Sequence, residues 1–237
     1  MVFEQLFHNV SSKERSEAVE GLITSSTPTH EFFLMATLSV LMATFGLLAD
    51  SSAVVVGSML IAPVLYPMLS LSMGVSMSDF VLVGKSLKTI GKIVIMAIGV
   101  SALVTLIFAP GLDGYTSEIL NRTKPSLLYA FIGAVAGFAA SFALVKPKLN
   151  ETLPGVAVAV ALVPPLAVAG IGLAKLDGAV FYNAFMLFIS NAAGVVITAS
   201  VVFSLMNFYT KKDVAKEVIK EEDKKLAKAN EAPKEIK

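Results

Sequence analysis

Cysteine is absent from the 237-residue sequence, and histidine occurs only twice, at His8 and His30. Without cysteine there is no disulfide framework, no thiolate nucleophile and no cysteine-ligated metal site. Because both histidines precede the long apolar region, no histidine inside that region supplies a metal ligand or a catalytic base. The sequence therefore predicts no metal site, no cofactor and no enzymatic activity, and it contains no nucleotide-binding motif.

Charged residues are also scarce. Only 16% of the residues are charged, 55% are hydrophobic, and the mean hydropathy is +0.76. Soluble domains carry about 25% charged residues, so this composition is typical of an integral membrane protein whose main partner is the lipid bilayer. The net charge of +1 favours neither nucleic acid nor an acidic partner. Residues 1–22 lack the pattern of a cleaved signal peptide, and we expect them to be retained.

Six uncharged runs approach or exceed the length of about 20 residues that crosses the hydrocarbon core. They are Phe32–Ala49, Ser51–Ser78, Ile93–Leu112, Ser126–Val145, Thr152–Ala174 and Gly178–Thr210. An all-α fold with six transmembrane helices is therefore predicted. The third helix is expected to begin earlier, near Asp79, because Lys85, Lys88 and Lys92 recur at helical spacing and line one face of its first turns.

Six spans place both termini on one side of the membrane, and basic residues indicate which side. Near the spans, seven basic residues fall on the side of the termini and three on the other. The seven are Lys13, Arg15, Lys85, Lys88, Lys92, Lys146 and Lys148, and the three are Arg122, Lys124 and Lys175. The positive-inside rule therefore predicts cytoplasmic N- and C-termini.

The terminal segments are predicted to lie outside the membrane. Residues 1–30 form a cytoplasmic amphipathic segment, which lies in the headgroup plane or packs on the protein itself. Ser11 and Glu14 have the spacing of a capping box for the helix that follows. Residues 211–237 form a charged cytoplasmic tail that mixes nine lysines with seven acidic residues, and no function is assigned to it.

The second and fifth runs resemble each other when they are aligned at an offset of 102. Five of twenty aligned positions are identical, and Pro63 falls on Pro165. The first three spans, in residues 31–112, then correspond to the last three, in residues 125–210. Because three is an odd number, the second unit crosses the membrane in the opposite sense, which predicts an inverted-topology repeat.

Four prolines interrupt these two runs close to the bilayer midplane. A proline has no N–H for the carbonyl four residues earlier, and its ring collides with that carbonyl. The carbonyls expected to lose a helical partner are those of Met59, Pro63, Val160 and Ala161, opposite Pro63, Pro67, Pro164 and Pro165. Lipid cannot satisfy such groups, so the breaks should face the protein interior. Paired broken helices indicate a transporter's binding site, although kinks that serve only packing are the alternative.

Asn191 is the deepest strong hydrogen-bonding side chain in the predicted spans. An amide at that depth needs a partner on another helix or a bound solute. Both roles remain open, with interhelical bonding slightly preferred. Ser190 beside it and Ser58 near the first break complete the polar residues of the candidate site.

Three charged residues near span ends are candidates for gating or for an ion pathway. Asp50 and Glu151 occupy equivalent connections in the two units. Asp50 and Asn150 also stand at N-cap positions, and capping is the preferred role of Asn150. Lys88 could reach an anion from the third span, although a lysine that snorkels at the interface is the preferred interpretation.

Two glycines four residues apart, Gly133 and Gly137, lie on one face of the fourth span. Small residues at this spacing allow two membrane helices to approach closely. The spacing therefore predicts tight packing of this helix against a neighbour, without a ligand.

Three stretches carry a family resemblance: DSSAVVVGSMLIAPVLYPMLSLSMG (Asp50–Gly74), LPGVAVAVALVPPLAVAGIGLA (Leu153–Ala174) and FISNAAGVV (Phe188–Val196). Together they resemble the uncharacterised hydrophobic domain family known as domain of unknown function 389. The similarity runs from Glu31 to Met206. The resemblance implies a multi-span prokaryotic membrane protein, but it implies no particular activity.

Membrane transport of an ion or a small solute is the function that these patterns favour. The predicted protein is a secondary transporter or permease whose site is built by the two proline breaks. An oligomeric ion channel and a non-transporting scaffold or partner subunit are the alternatives. We expect the protein to lie in the prokaryotic cytoplasmic membrane and to form homo-oligomers.

Overall fold

The computed structural model describes residues 10–111, 114–146, 149 and 152–231, and all regular structure within them is helical. The α-helices in these residues are α1 (Ser12–Ser26), α2 (His30–Leu48), α3 (Ser52–Leu60), α4 (Leu65–Ser76), α5 (Phe80–Phe108), α6 (Ser117–Leu120), α7 (Leu127–Val145), α8 (Leu153–Val160), α9 (Val163–Ala174), α10 (Gly178–Leu205) and α11 (Lys212–Glu231). A 3₁₀ turn, Phe208–Lys211, precedes α11. The predicted all-α class is confirmed.

Four helices, α2, α5, α7 and α10, are long and apolar enough to cross a membrane. The pair α3 and α4 meets the same criterion as one span bent by 52°, which makes a fifth. Helix α9 is apolar but has only 12 residues, and α8 has 8, so the sixth span stays a prediction. The early start of α5 is confirmed, because the Asp79 side chain caps its first turn.

Large apolar side chains cover the outside of the long helices. More than two-thirds of the surface of each of Ile95, Leu127, Phe131 and Val135 is exposed. A soluble monomer rarely exposes such a continuous apolar surface. Together with the long apolar helices, this surface identifies a membrane protein.

Three pairs of consecutive helices, α2–α3, α4–α5 and α9–α10, are joined by the same tight corner. After the first helix comes one residue with positive φ, namely Asp50 (52°), Ser78 (50°) or Leu176 (55°). The next N–H donates to the carbonyl of a glycine five positions back at 2.8 to 2.9 Å, as in a Schellman motif. A Cβ on that glycine would lie 2.7 to 3.0 Å from a backbone nitrogen of the facing helix. Only glycine therefore lets the two helices meet this closely; the three are Gly46, Gly74 and Gly172.

A pattern of helix lengths occurs twice along the chain. Helices α2 and α7 each have 19 residues, α4 and α9 each have 12, and α5 and α10 have 29 and 28. Residues 65–76 and 163–174 are ninety-eight positions apart, as are the starts of α5 and α10, an offset that pairs Pro67 with Pro165. An alignment by helix bounds therefore differs from the sequence offset of 102 by four residues, about one helical turn. A shift of four residues, about one turn, keeps the same helix face toward the interior. Identical apolar residues are therefore found at either offset.

Helices α4 and α9, each of which follows a short helix, pack on a long helix from the other half of the chain. Helix α9 lies against α5, and α4 lies against α10. The Ser101 hydroxyl of α5 donates to the Ala167 carbonyl of α9 at 2.7 Å. The Ser200 hydroxyl of α10 likewise donates to the Ser72 carbonyl of α4 at 3.2 Å. The core is thus built between the two halves.

One end of the helix bundle, the α6 end, is formed by α6 and two of the corners. The Thr116 hydroxyl, which precedes α6, donates to the Leu47 carbonyl beside the α2–α3 corner at 2.7 Å. The Tyr115 hydroxyl donates to Asp177 in the α9–α10 corner at 2.9 Å. Both corners therefore lie at the same end of the molecule.

The opposite end, the α11 end, holds the described parts of the terminal segments. The Lys212 ammonium group of α11 donates to the carbonyl of Ser78, in the α4–α5 corner, at 2.7 Å. Lys146, after the last turn of α7, forms an ion pair with Glu14 of α1 at 3.2 Å. The α4–α5 corner therefore lies at the end opposite the α9–α10 corner.

The predicted capping box at the start of α1 is confirmed. The Glu14 N–H donates to the Ser11 hydroxyl oxygen at 3.1 Å, and the Ser11 N–H donates to the Glu14 carboxylate at 2.7 Å. Hydrogen bonding of the Glu14 carboxylate to Ser11, first to its backbone N–H and then to its hydroxyl, holds the pKa of Glu14 below its usual value. The amphipathic stretch predicted at the very N-terminus lies outside the described residues.

Candidate functional site

Two interrupted apolar segments, α3–α4 and α8–α9, face each other inside the protein. A cavity of about 10 Å³, room for about one water molecule, separates them. The first span contributes Met59, Ala62, Val64 and Leu65, and the second contributes Ala157, Leu162 and Val163. Because every lining side chain is apolar, the polar chemistry of this junction comes from backbone groups and from residues behind the lining.

The first break covers residues 61–64, between α3 and α4. Pro63 lies in this connection, and Pro67 lies in the first turn of α4. The first turn of a helix has no internal acceptor for its N–H groups, so proline is tolerated there. The Met59 carbonyl accepts from the Ala62 N–H at 3.4 Å. The expectation that this carbonyl lacks an amide partner is therefore wrong.

The second break is shorter and more strained. Helix α8 ends at Val160 and α9 begins at Val163, so only two residues connect them. Ala161 has φ of 47°, a left-handed conformation that disfavours a residue with a Cβ by roughly 1–2 kcal/mol. Pro164 and Pro165 are buried in the first turn of α9. They start this helix and do not interrupt one.

The predicted site residues Asn191 and Ala161 are in direct contact. The side-chain amide nitrogen of Asn191 in α10 donates to the Ala161 carbonyl oxygen at 3.4 Å. Asn191 is only 2% exposed. The carbonyl that Pro165 cannot serve, for want of an N–H, thus binds a side chain from another helix. Asn191 makes the interhelical bond that its depth predicted.

Two of the predicted serines bond within their own helices. The Ser58 hydroxyl is fully buried and donates to the Val55 carbonyl at 2.6 Å. The Ser190 hydroxyl donates to the Met186 carbonyl at 2.9 Å and does not reach the second break. Ser58 lies three residues before the connection that forms the first break.

Sequence reasoning missed Ser39 of α2. Its hydroxyl is fully buried and donates to the Ser58 carbonyl at 2.7 Å, near the end of α3. The available signal was a hydroxyl at the centre of an uncharged run, where it needs an internal acceptor. The α2 helix thereby contributes to the first break.

Helix α7 packs tightly on α10 around Asn191. A Cβ on Gly133 would lie 2.5 Å from the Asn191 carbonyl oxygen, and one on Gly137 would lie 2.7 Å from that of Val195. From the other side, Gly194 faces the Ala130 carbonyl. The predicted close approach is confirmed, and its partner is α10. This backbone contact holds Asn191 opposite the second break.

Two of the three charged candidates, Asp50 and Lys88, lie away from the two breaks. Asp50 is the left-handed residue after α2 rather than the N-cap of α3, which is Ser51. Its carboxylate accepts from the Glu118 N–H at 2.9 Å and so holds α6 in place. Lys88 lines a separate cavity at the α11 end. Residues 150 and 151 lie outside the described part, so their roles stay predictions.

A cluster at the α6 end closes the second corner. Asp177 accepts from the N–H groups of Ala179 and Val180, and its pKa lies below the usual value, chiefly through the Val180 bond and then through Tyr115. Burial, together with Asp177, raises the pKa of Tyr115 to about 12. The Lys175 ammonium nitrogen lies 4.6 Å from the Tyr115 ring centroid. Asp177 thus caps α10, and Lys175 lies over the Tyr115 ring beside it.

Metal-ligating side chains are not clustered in the described part of the chain. Within residues 10–111, 114–146, 149 and 152–231, no three of histidine, cysteine, aspartate and glutamate are arranged to hold a metal ion. The ligands available near the breaks are carbonyl oxygens and the Asn191 amide.

Comparison with known proteins gives a family and one curated relative. The model of a family described as "Domain of unknown function (DUF389)" matches residues 59–197, a range that includes both breaks and Asn191. An uncharacterized protein of Methanocaldococcus jannaschii is 33% identical over 176 residues, which cover 73% of this chain and 53% of the relative. The chain thus spans about half the length of that relative. No solved structure matches.

Proposed function

The chain belongs to the DUF389 family, whose description assigns no activity, and we propose that it transports an ion or a small solute across a membrane. The site is the junction where the two broken spans meet. The observation that carries this proposal is the bond from Asn191 to the Ala161 carbonyl, at a backbone break that faces a second break. Paired breaks of this kind are the usual binding element of secondary transporters.

The proposed architecture is six spans in two inverted three-helix units. Helices α8 and α9 together form the fifth span along the chain, which brings the number of spans to six. Three observations support the inversion: the matched helix lengths, the reciprocal packing of α9 on α5 and α4 on α10, and the positions of the equivalent corners at opposite ends. In such a repeat, rocking one unit against the other alternates access to a central site.

The chemistry of the junction suits a small charged or dipolar solute. The last carbonyls of α3 and α8 carry partial negative charge. The N–H groups of the non-proline residues in the first turns of α4 and α9 carry partial positive charge. Carbonyls favour a cation and N–H groups favour an anionic group, so the sign of the solute stays open. The cavity of about 10 Å³ corresponds to a closed state. Opening separates the breaks, and the Asn191 amide then passes from the Ala161 carbonyl to the solute.

The proposed orientation places the α11 end in the cytoplasm of a prokaryotic cell. Lys85, Lys88, Lys92, Lys146 and Lys212 gather at that end, which agrees with the positive-inside rule. Homo-oligomer formation, like the expected absence of enzymatic activity and cofactors, stays a prediction.

Flux through the purified full chain in liposomes tests the transport proposal. The probes are protons, thallium, chloride and radiolabelled phosphate, each driven by its own gradient. We expect at least one flux above that of protein-free liposomes, and we expect Asn191→Leu to lower it at least about tenfold, since the site loses a hydrogen-bonding side chain. The matched control is Asn183→Leu, two turns earlier on α10, which should keep the flux.

Two results would contradict this proposal. One is a protein that elutes as a single species and carries none of the four probes. The other is full flux in Asn191→Leu. If Asn191→Leu does not assemble, the double variant Pro63→Ala and Pro165→Ala serves instead, and it should lower flux far more than thermal stability. Discrete single-channel currents would identify the channel alternative, and a phenotype lost only on removal of α11 would identify the scaffold.

A further inference from the structure

A second cavity, of about 220 Å³, opens at the α11 end and is not part of the proposed transport site. Helices α1, α4, α5 and α11 form its walls. Lys85, Lys88 and Lys92 line the α5 side at spacings of three and four residues, which place them on one helix face. Glu222 and Asp223 line the α11 side.

Both carboxylates of this cavity already bind other groups. Asp223 forms an ion pair with Lys85. Glu222 forms an ion pair with Lys225 at 2.7 Å and accepts from the Thr24 hydroxyl at 3.5 Å. In the part of the chain that the structure describes, no carboxylate forms an ion pair with Lys88 or Lys92. Two ammonium groups therefore face the cavity without an acidic partner.

Buried hydroxyls lie beside these ammonium groups. Ser70, Ser86 and Thr89 line the cavity and are each at most 4% exposed. The Ser86 hydroxyl donates to the Ser70 oxygen at 3.0 Å. A hydroxyl has one proton to donate, so this bond leaves the Ser70 proton for another acceptor. The cavity thus combines positive charge with hydroxyl donors.

We propose that this cavity binds a phosphate-bearing anion through the Lys88 and Lys92 ammonium groups and the hydroxyls of Ser70 and Thr89. Phosphate oxygens accept several charge-assisted hydrogen bonds at once, which matches this set of donors. The Lys85–Asp223 ion pair closes one side of the site, and the Asp223 carboxylate competes with the anion for Lys85.

The position of the cavity fits either an anionic lipid headgroup or a free phosphate. Residues 92–108 of α5 span about 25 Å at 1.5 Å per residue, close to the thickness of the hydrocarbon core of about 30 Å. Lys92 therefore lies near the membrane boundary, at the level of lipid phosphates. Basic pockets between membrane helices at this level bind anionic headgroups.

Thermal unfolding of the full chain in an uncharged detergent tests this site. The ligands are inorganic phosphate, dioctanoyl phosphatidylglycerol and dioctanoyl phosphatidylcholine, with sodium chloride matching the ionic strength. We expect phosphate or phosphatidylglycerol to raise the unfolding midpoint in a saturable way. A rise with inorganic phosphate identifies a free anion as sufficient, and a rise with phosphatidylglycerol alone identifies a lipid headgroup. No rise with either, or an equal rise with phosphatidylcholine or sodium chloride, would overturn the proposal.

Paired lysine variants locate the site. Lys88→Gln with Lys92→Gln should raise the half-saturating ligand concentration at least about tenfold, whereas the arginine pair at the same positions should retain binding. The control pair, Lys13→Gln with Lys216→Gln, removes the same charge from exposed positions at the same end and should change little. Asp223→Asn should tighten binding about threefold or more, because Lys85 is released. Equal weakening of ligand binding by both glutamine pairs would show that the effect arises from nonspecific charge. That result would overturn the proposed site.

Discussion

The first broken span turns over the four residues 61–64, whereas the second turns over Ala161 and Leu162 alone. The longer connection satisfies its own backbone, because the Ala62 N–H reaches the Met59 carbonyl. The shorter connection needs a left-handed residue, and its carbonyl binds the Asn191 amide of α10. The first break therefore pairs the Met59 carbonyl within its own connection and receives a bond from α2 only at Ser58, before the connection begins. In the second break, the carbonyl of the connection itself is bound by a neighbouring helix.

This difference shows which break is able to respond to a ligand. A carbonyl that accepts a backbone N–H from its own connection already has a fixed hydrogen-bond partner, so it contributes little to the binding of a solute. A carbonyl that is bound by a side chain on another helix has an exchangeable partner, since the side chain and the solute compete for it. The Ala161 carbonyl is in this position, and the contact between α7 and α10 sets its partner's location.

Adding one methyl group at the α7–α10 contact should have the largest effect on this comparison. In Gly133→Ala the new Cβ meets the Asn191 carbonyl oxygen at 2.5 Å, and overpacking of this kind destabilises by about 1–3 kcal/mol. Gly57→Ala in α3 meets nothing within 4 Å and should stabilise by up to about 1 kcal/mol through helix propensity. Thermal unfolding midpoints in detergent should shift in opposite directions; equal shifts would contradict the tight contact.

Removing the hydrogen-bond donor to each break should change stability less than Gly133→Ala does, and by different amounts at the two breaks. Asn191→Leu breaks the bond to Ala161 and should destabilise by about 1 kcal/mol or more, near the upper range for interhelical bonds in membranes. Ser39→Ala removes the donor to the Ser58 carbonyl and should destabilise by about 0.6 kcal/mol. The measurement is again the unfolding midpoint of purified protein. A larger loss of stability in Ser39→Ala than in Asn191→Leu would contradict the proposal that the second break depends more on a neighbouring helix.

Glycine at the two connections should act with opposite signs. Ala161→Gly relieves a left-handed Cβ, worth roughly 1–2 kcal/mol, and this gain exceeds the entropy that glycine adds to the unfolded chain. We expect a net stabilisation of about 0.5 kcal/mol. Ala62 has no positive φ, so Ala62→Gly carries only the entropy term and should destabilise by about 0.5 kcal/mol. Two changes of the same sign, measured by thermal unfolding, would contradict the difference in backbone strain.

Replacing the corresponding prolines should have the smallest effect on stability. Pro67 and Pro165 each lie in the first turn of a helix, so Pro67→Ala and Pro165→Ala should each stay within about 0.5 kcal/mol of the parent. A proline that interrupted a helix interior would instead give a stabilisation of about 3 kcal/mol on replacement. Unfolding midpoints of the two variants distinguish these outcomes directly.

Much of the helical architecture followed from local patterns. The early start of α5 at Asp79, the capping box at Ser11 and the close-packing face at Gly133 were all predicted and confirmed. The positions of the breaks were also predicted, but their hydrogen bonding was not. Proline in a sequence shows that an N–H is missing, yet it does not show whether the residue interrupts one helix or starts the next.

Composition and residue spacing were enough to predict a helical membrane protein and the starting points of several helices. Those properties depend on composition and on backbone hydrogen bonds between residues four positions apart. Because of these bonds, residues on one helix face recur every three to four positions in the sequence. The bond between Ala161 and Asn191, thirty positions apart, and the ion pair between Lys85 and Asp223 were found only in the folded protein. These contacts depend on how whole helices are placed and shifted along one another, and a shift of one turn leaves the apolar pattern unchanged.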